Sequence, residues 1–257
     1  MSILLLVTTT VLIGATALGQ GDVSQVTFST PTAVVELDAG KLKGSPTRLV
    51  WAPEGDALYV QTRDKDGLGP VVRHHLVNLA TREVKTADAE PAWASRSWQA
   101  KSAQSPPWAP ALRIAVKEEK RQVGTTAAPM GGGLARGSPD AGQTGASAGE
   151  VTSAAQTVQQ ASVWTLTFQG EWIGEWVNTP VTPGTTFGWS PVGLKMIAFV
   201  DREGRLTLMD DGRHKVVVGG TRDALLPAWS DDGRCIAYAE RTGRKKVTLR
   251  MFDVAAR

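Results

Sequence analysis

The stretch Trp189-Ser190-Pro191-Val192-Gly193, followed closely by Met196-Ile197-Ala198-Phe199-Val200, combines a tryptophan, a turn sequence and an apolar run. The same order recurs twice more, and Trp93-Ala94-Ser95 carries its first part. Trp51 and Trp93 lie 42 residues apart, and Trp189 and Trp229 lie 40 residues apart. A period near forty with one strand–turn–strand signature per repeat is typical of a β-propeller blade. The two further copies are Trp51-Ala52-Pro53-Glu54-Gly55 and Trp229-Ser230-Asp231-Asp232-Gly233.

The residue types of this repeat suit packing between blades. An indole supplies a large apolar plate with one N–H donor, and Gly55, Gly193 and Gly233 suit a tight reversal into the next strand. We therefore predict an all-β fold, a β-propeller of four to five blades over residues 20–257.

How such a ring closes stays open at the level of sequence. In one arrangement, the strands predicted at residues 26–28 and 33–37 pair with the incomplete last blade and close the ring. Alternatively, the chain is an open arc, a ring completed by a partner, or a fragment of a longer propeller.

The second repeat is interrupted by two segments of unusual composition. Residues 97–110 form an irregular segment rich in Ser, Pro and Trp, and residues 124–162 hold no aromatic and only three charged residues. The second composition cannot bury enough apolar surface to offset its ordering entropy. We predict that residues 124–162 are a long disordered insertion in one blade, since the closure entropy of a loop rises slowly with its length.

The first residues of the chain resemble an export signal. Residues 3–18 are apolar apart from one glycine and four threonines, of which three are Thr8 to Thr10. This is shorter than the roughly 20 residues of a membrane helix, and Ala17 and Gly19 offer small residues at a cleavage site. We expect residues 1–19 to be a signal peptide of a periplasmic or secreted protein, with no stable membrane span after cleavage. An uncleaved anchor is the alternative, because no Lys or Arg precedes the apolar stretch.

The charge of the chain is modest, with a net +3 in 257 residues and a sequence pI near 9.1. Basic and acidic residues are interspersed along the part predicted to fold, so we expect no nucleic-acid partner. The densest basic run is Arg241-Thr242-Gly243-Arg244-Lys245-Lys246, where a hairpin turn is predicted. We interpret it as a solvated turn, with a phosphate-binding patch as the alternative.

Metal-binding residue types are few and poorly placed. Cys235 is the single cysteine, which rules out a disulfide within the chain, and we predict an inert thiol within a strand. His74 and His75 are adjacent on a predicted strand, so their side chains point to opposite faces. Asp64-Lys65-Asp66-Gly67 lacks the distal Glu of a calcium loop and is predicted as a hairpin turn. We expect neither a metal site nor a cofactor.

A nucleophilic site is also not indicated. Gly188-Trp189-Ser190-Pro191-Val192 lacks the last glycine of a serine nucleophile elbow and lies in the repeat turn. We therefore expect no catalytic residue.

One pair of residues favours a binding surface. Trp172, Gly174 and Trp176 alternate on a predicted outer strand, which places both indoles on one face. Paired tryptophans on a partly exposed strand are enriched at interfaces. Trp172 and Trp176 are therefore the predicted partner-binding residues, with packing against a loop such as residues 97–110 as the alternative.

The sequence from Trp189 to Phe199 resembles the TolB-type, WD40-like propeller repeat, and residues 227–238 and 49–60 are weaker copies. The resemblance implies a secreted bacterial propeller. In TolB proteins the propeller is a protein-docking surface, and in prolyl-oligopeptidase-like peptidases it gates the active site. This sequence departs from both, with no α/β domain ahead of the repeats, no hydrolase domain after them, and four repeat tryptophans where six or more blades are usual.

Two functions follow as expectations. The first is a non-catalytic secreted or periplasmic scaffold that docks another protein or a cell-envelope component. The alternative is a propeller module associated with an enzyme, of the peptidase-gating or polysaccharide-active type. Acidic or His side chains converging on the centre would favour the alternative.

Overall fold

The structure is a computed structural model that describes residues 23, 26–38, 40, 42, 44–66, 69–106, 108–123, 159–170, 178–191, 193–210 and 214–256. The expected signal peptide lies outside the described residues, as do Trp172, Trp176 and residues 124–158 of the expected insertion. The chain divides into two compact units, Met1–Lys117 with Trp164–Arg257, and Glu118–Val163.

The described residues form an all-β fold with one helix, which confirms the all-β part of the predicted fold class. The propeller and its number of blades stay a prediction. Two of its four sheets have four antiparallel strands in sequence order. The strands of the first sheet are β3 (Ser45–Trp51), β4 (Ala57–Asp66), β5 (Gly69–Asn78) and β6 (Val84–Ala87). Those of the third sheet are β10 (Phe187–Trp189), β11 (Ile197–Val200), β12 (Leu206–Met209) and β13 (Lys215–Val217).

The second sheet has three strands, β7 (Arg113–Val123), β8 (Gln159–Gln169) and β9 (Thr179–Val181). β7 runs beyond Val116, where the apolar run ends, because strand pairing is satisfied by the backbone even where side chains are charged. β8 likewise begins at Gln159, inside the range assigned to the insertion. The described part of the second unit consists of residues 118–123 of β7 and 159–163 of β8. The fourth strand predicted at residues 171–177 lies outside the described residues.

The last sheet joins the two ends of the chain. It contains β14 (Ala224–Trp229), β15 (Cys235–Arg241), β16 (Lys246–Ala256), β1 (Val26–Phe28) and β2 (Thr32–Asp38). β1 and β2 lie antiparallel along the same edge of β16, with Phe28 opposite Val254 and Leu37 opposite Val247. Of the alternatives open to the N-terminal strands, the structure therefore shows pairing with the last sheet, which covers an otherwise free edge.

Three buried clusters lie between neighbouring sheets, and a fourth lies between a sheet and the helix. Each contains at least one aromatic side chain, which buries a large apolar area. One unites the last and third sheets around Trp229 and Tyr238, and a second unites the last and first sheets around Trp51. A third unites the third and second sheets around Trp189. The fourth, around Tyr59, joins the first sheet to the helix.

The helix α1 (Ala92–Lys101) replaces a segment predicted to be irregular, so that prediction is wrong for residues 97–101. Ala, Arg, Gln and Lys favour helix, and the helix contains neither Gly nor Pro. Pro91 stands at its N-cap with extended backbone. Ala94, Trp98 and Lys101 share one face, since they are spaced by four and three residues. No helix in the described part of the chain is long and apolar enough to span a membrane.

Candidate functional site

Three repeat tryptophans bridge neighbouring sheets from the ends of β3, β10 and β14. Trp51, Trp189 and Trp229 are each at most 2% exposed. The Nε1–H of Trp51 donates to the carbonyl oxygen of Ala228 at 2.9 Å, and that of Trp229 donates to Gly188 at 3.2 Å. The Nε1–H of Trp189 donates to Ala103 at 2.8 Å. Each indole thus satisfies its one polar group while its rings are buried.

The turns after these tryptophans require glycine. Gly55, Gly193 and Gly233 have φ of +75°, +114° and +72°, which side chains disfavour. In two of the turns a serine holds the reversal: Ser190 Oγ accepts from the Met196 amide at 2.9 Å, and Ser230 Oγ accepts from the Cys235 amide at 2.9 Å. Ser190 has a clear structural role here.

The fourth repeat tryptophan, Trp93, differs from the others because it lies in the first turns of α1. Its ring meets that of Tyr59 edge to face at 6.3 Å between centroids. Ala94 beside it is fully buried against the first sheet. Trp93 therefore contributes to a contact with the preceding sheet, but from a helix.

The side chains of His74 and His75 each lie within hydrogen-bond distance of a hydroxyl group. Tyr59 Oη and His74 Nδ1 are 2.7 Å apart, and Thr62 Oγ1 and His75 Nε2 are 3.2 Å apart. Burial raises the pKa of Cys235 to about 11, which leaves its thiol protonated and weakly nucleophilic at neutral pH. Among the described residues no three His, Cys, Asp or Glu side chains group together as metal ligands.

One cavity of the described structure has a volume of about 400 Å³. It lies where the first residues of β3, the loop before β10, the start of β14 and the β15–β16 turn meet. This size falls in the range of small-molecule sites. Its described lining residues comprise Ser45, Pro46, Thr47, residues 182–186, Val200, residues 224–226, Arg241 and residues 243–247.

One wall of the cavity is the basic turn, residues 241–246. The Thr242 amide donates to the Lys246 carbonyl at 3.0 Å, and the Arg241 amide donates to Asp223 at 3.0 Å, so the turn is fixed to β14. Lys246 Nζ lies 2.8 Å from Glu36 Oε1, and this hydrogen bond raises the pKa of Lys246. Arg241, Arg244 and Lys245 form no ion pair within the described part of the chain.

The opposite wall is rich in hydroxyl groups. Pro183 and Gly184 form a tight turn in which Gly184 has φ +71° and the Thr185 amide donates to Thr182 at 3.0 Å. The Thr182 hydroxyl donates to the Asp201 carbonyl at 2.5 Å. The Thr186 hydroxyl is buried and has no hydrogen-bond partner among the described residues.

The floor of the cavity is apolar and its backbone is irregular. Leu225 and Leu226 lie at a bulge in β14, and Leu226 has φ +53° although it is a leucine. Such backbone strain costs on the order of 1–3 kcal/mol and tends to collect at binding sites. β3 has a second bulge at Thr47. Bulges of this kind end the regular pairing and leave room at strand ends.

The space between β3, β10, β14 and α1 is almost filled, with about 10 Å³ left. Lys101 is the titratable residue among its described lining residues. Its Nζ donates to the carbonyl oxygen of Trp229 and to Asp231 Oδ1. Burial lowers the pKa of Lys101, and the hydrogen bond and charge of Asp231 act in the opposite direction. This lysine ties α1 to the end of β14.

Comparison with known proteins adds no identity to this geometry: no protein-family model matches the chain, and no curated protein does. The cavity is therefore the feature on which a function is proposed below.

The sequence placed the basic run in a hairpin turn, and the structure confirms that position between β15 and β16. The rest of the cavity was missed. Residues 182–186 and 45–47 lie far from the basic turn in sequence, and only the packing of the sheets brings them together. The Thr-Pro-Gly-Thr-Thr sequence at 182–186 indicated a turn, but nothing in it indicated a binding wall.

Proposed function

We propose that this chain is a non-catalytic binding module, a four-bladed β-propeller of the TolB-type class. It acts outside the cytoplasm and docks an anionic partner, a protein or a cell-envelope component, at the basic cavity. The apolar sequence of residues 3–18 supports the location.

Packing between the sheets supports the propeller. Each of the four sheets shares a buried cluster with another, and the indoles of Trp51 and Trp229 donate hydrogen bonds from one sheet to the next. The pairing of β1 and β2 with β16 supports closure through the last blade. A ring of this kind leaves few free strand edges.

The single observation that carries the binding proposal is the unbalanced charge of the cavity. Arg241, Arg244 and Lys245 line it without an ion pair in the described part of the chain. Its described lining residues include no carboxylate. Such a surface attracts anions over about a Debye length and selects against cationic partners.

The alternative, a module associated with an enzyme, called for acidic or His side chains at the centre. The space between β3, β10, β14 and α1 has Lys101 as the titratable residue among its described lining residues, and the charge of Lys101 is engaged by Asp231. No observation in the described structure favours this alternative.

Charge reversal tests the binding proposal. The full chain and the double variant Arg244→Glu/Lys245→Glu are used to capture components of a cell-envelope fraction, which are identified by mass spectrometry and lipid analysis. The matched control is Arg82→Glu/Lys85→Glu, which changes the same charge on the exposed β5–β6 turn. We expect the control to retain the components captured by the original chain and the cavity variant to lose them. Equal capture by all three proteins would contradict the proposal.

A further inference from the structure

The cavity presents its polar groups almost entirely as donors. The guanidinium groups of Arg241 and Arg244 and the ammonium group of Lys245 carry donors and no acceptor. The described lining residues add hydroxyl groups and no carboxylate. A ligand that satisfies such a wall must offer several acceptor oxygens and negative charge, as a phosphate does.

The floor indicates what the anion is attached to. Pro46, Leu225, Leu226 and Val247 line the cavity with apolar surface. Inorganic phosphate would occupy a small part of about 400 Å³ and leave this surface uncovered. An organic group attached to the phosphate would cover it and gain hydrophobic binding energy.

We propose that the cavity binds a phosphomonoester, with its phosphate against the basic turn and its organic group on the apolar floor. This inference rests on the proposed binding function and names the chemistry of its ligand. The ligand is either a soluble phosphomonoester or the headgroup of a phosphatidic acid, since both present the same dianionic group.

The test uses phenyl phosphate and inorganic phosphate as soluble probes in calorimetric titrations of the full chain. We expect tighter binding of phenyl phosphate than of inorganic phosphate. Arg244→Ala/Lys245→Ala is expected to weaken phenyl phosphate binding at least tenfold, as hydrogen bonds to a charged group are lost. Arg82→Ala/Lys85→Ala is the matched control and is expected to bind unchanged. Unaltered denaturation midpoints verify that the variants are folded.

Vesicle sedimentation separates the two sources of the phosphate group. Phosphatidylcholine vesicles are compared with vesicles containing phosphatidic acid, or phosphatidylglycerol at equal surface charge. Preference for phosphatidic acid, dependent on Arg244 and Lys245, supports a lipid ligand, and binding of phenyl phosphate alone supports a soluble one. Equal binding to both anionic vesicles, or no binding of either probe, overturns the phosphomonoester. If the phosphomonoester tests fail but the Arg244→Glu/Lys245→Glu variant still loses the captured components, only this inference fails. If that variant captures as much as the original chain, the proposed function fails as well.

Discussion

The Nε1–H of Trp229 donates a hydrogen bond to the carbonyl oxygen of Gly188 at 3.2 Å. This bond links β14 of the last sheet to β10, the first strand of the third sheet. A Cβ at Gly188 would lie 3.5 Å from Trp229 Cδ1 and 3.1 Å from the Pro227 carbonyl oxygen. The indole thus packs closely on a backbone that carries no side chain. Burial of the ring and satisfaction of its polar group occur at the same junction.

Replacing Trp229 by alanine is expected to lower the free energy of unfolding by about 3–5 kcal/mol, as for other large-to-small changes in a core. Trp229 is fully buried, so a cavity would remain between the sheets. Trp229→Phe keeps much of the apolar ring and loses the N–H, and should cost less. Urea denaturation midpoints measure both changes. A loss under about 1 kcal/mol for Trp229→Ala would mean that the residue is exposed in solution.

The N-terminal strands are expected to stabilise the whole fold through β2. Leu37 is 2% exposed and packs in the cluster around Trp51, so Leu37→Ala should cost about 2–5 kcal/mol. The adjacent Glu36 is exposed and pairs with Lys246 at the surface, so Glu36→Ala should cost less than about 1 kcal/mol. Chemical denaturation of the two variants compares neighbours in one strand. Equal effects would contradict the pairing of β2 with β16.

Strand positions followed from the sequence for the two N-terminal strands. β1 has the residues expected for it, Val26–Phe28, and β2, expected at residues 33–37, extends one residue further at each end. The turn predicted at residues 64–67 was wrong at its start, because Asp64 pairs with Val71 and Asp66 with Gly69 in a longer hairpin. Turn-forming side chains do not prevent pairing when the backbone ladder continues beyond them.

The helix α1 was not predicted from the sequence, because the forty-residue period assigns Trp93 to a propeller repeat and the repeat contains no helix. Pro91 followed by a stretch without Gly or Pro, with Ala94 and Trp98 four residues apart, was the available signal. The candidate site was harder to predict. Of its walls, the basic turn was visible as a local charge run, whereas the presence of residues 182–186 in the same cavity depends on packing between sheets.

His75 is expected to make the fold sensitive to mild acid. It is 3% exposed, and burial lowers its pKa below the ordinary value of 6.5. The unfolded chain therefore takes up a proton at higher pH than the folded chain. Stability is full above pH 6.5 and declines as the pH falls toward the folded pKa.

Urea midpoints at pH 7.5 and pH 5.5 measure this effect. The urea midpoint of the original chain should decrease from pH 7.5 to pH 5.5. The midpoint of His75→Gln, which cannot take up the proton, should decrease less. Each protein serves as its own reference at pH 7.5, so any loss of the Thr62 contact in the variant cancels. Identical falls would show that His75 is not buried in its neutral form.

Arg82 offers a stabilising change. It lies in the turn between β5 and β6 with φ +59°, a conformation that costs a residue with a side chain about 1–2 kcal/mol. Glycine adopts it freely but loses about 0.5–1 kcal/mol of chain entropy on folding, so Arg82→Gly should stabilise the protein by up to about 1 kcal/mol. Lys85, exposed in β6 opposite Leu76, is the matched control, because Lys85→Gly meets the entropy cost without relief of strain. Denaturation midpoints should therefore move in opposite directions for the two variants, and a decrease in both would show that the backbone at Arg82 is not left-handed.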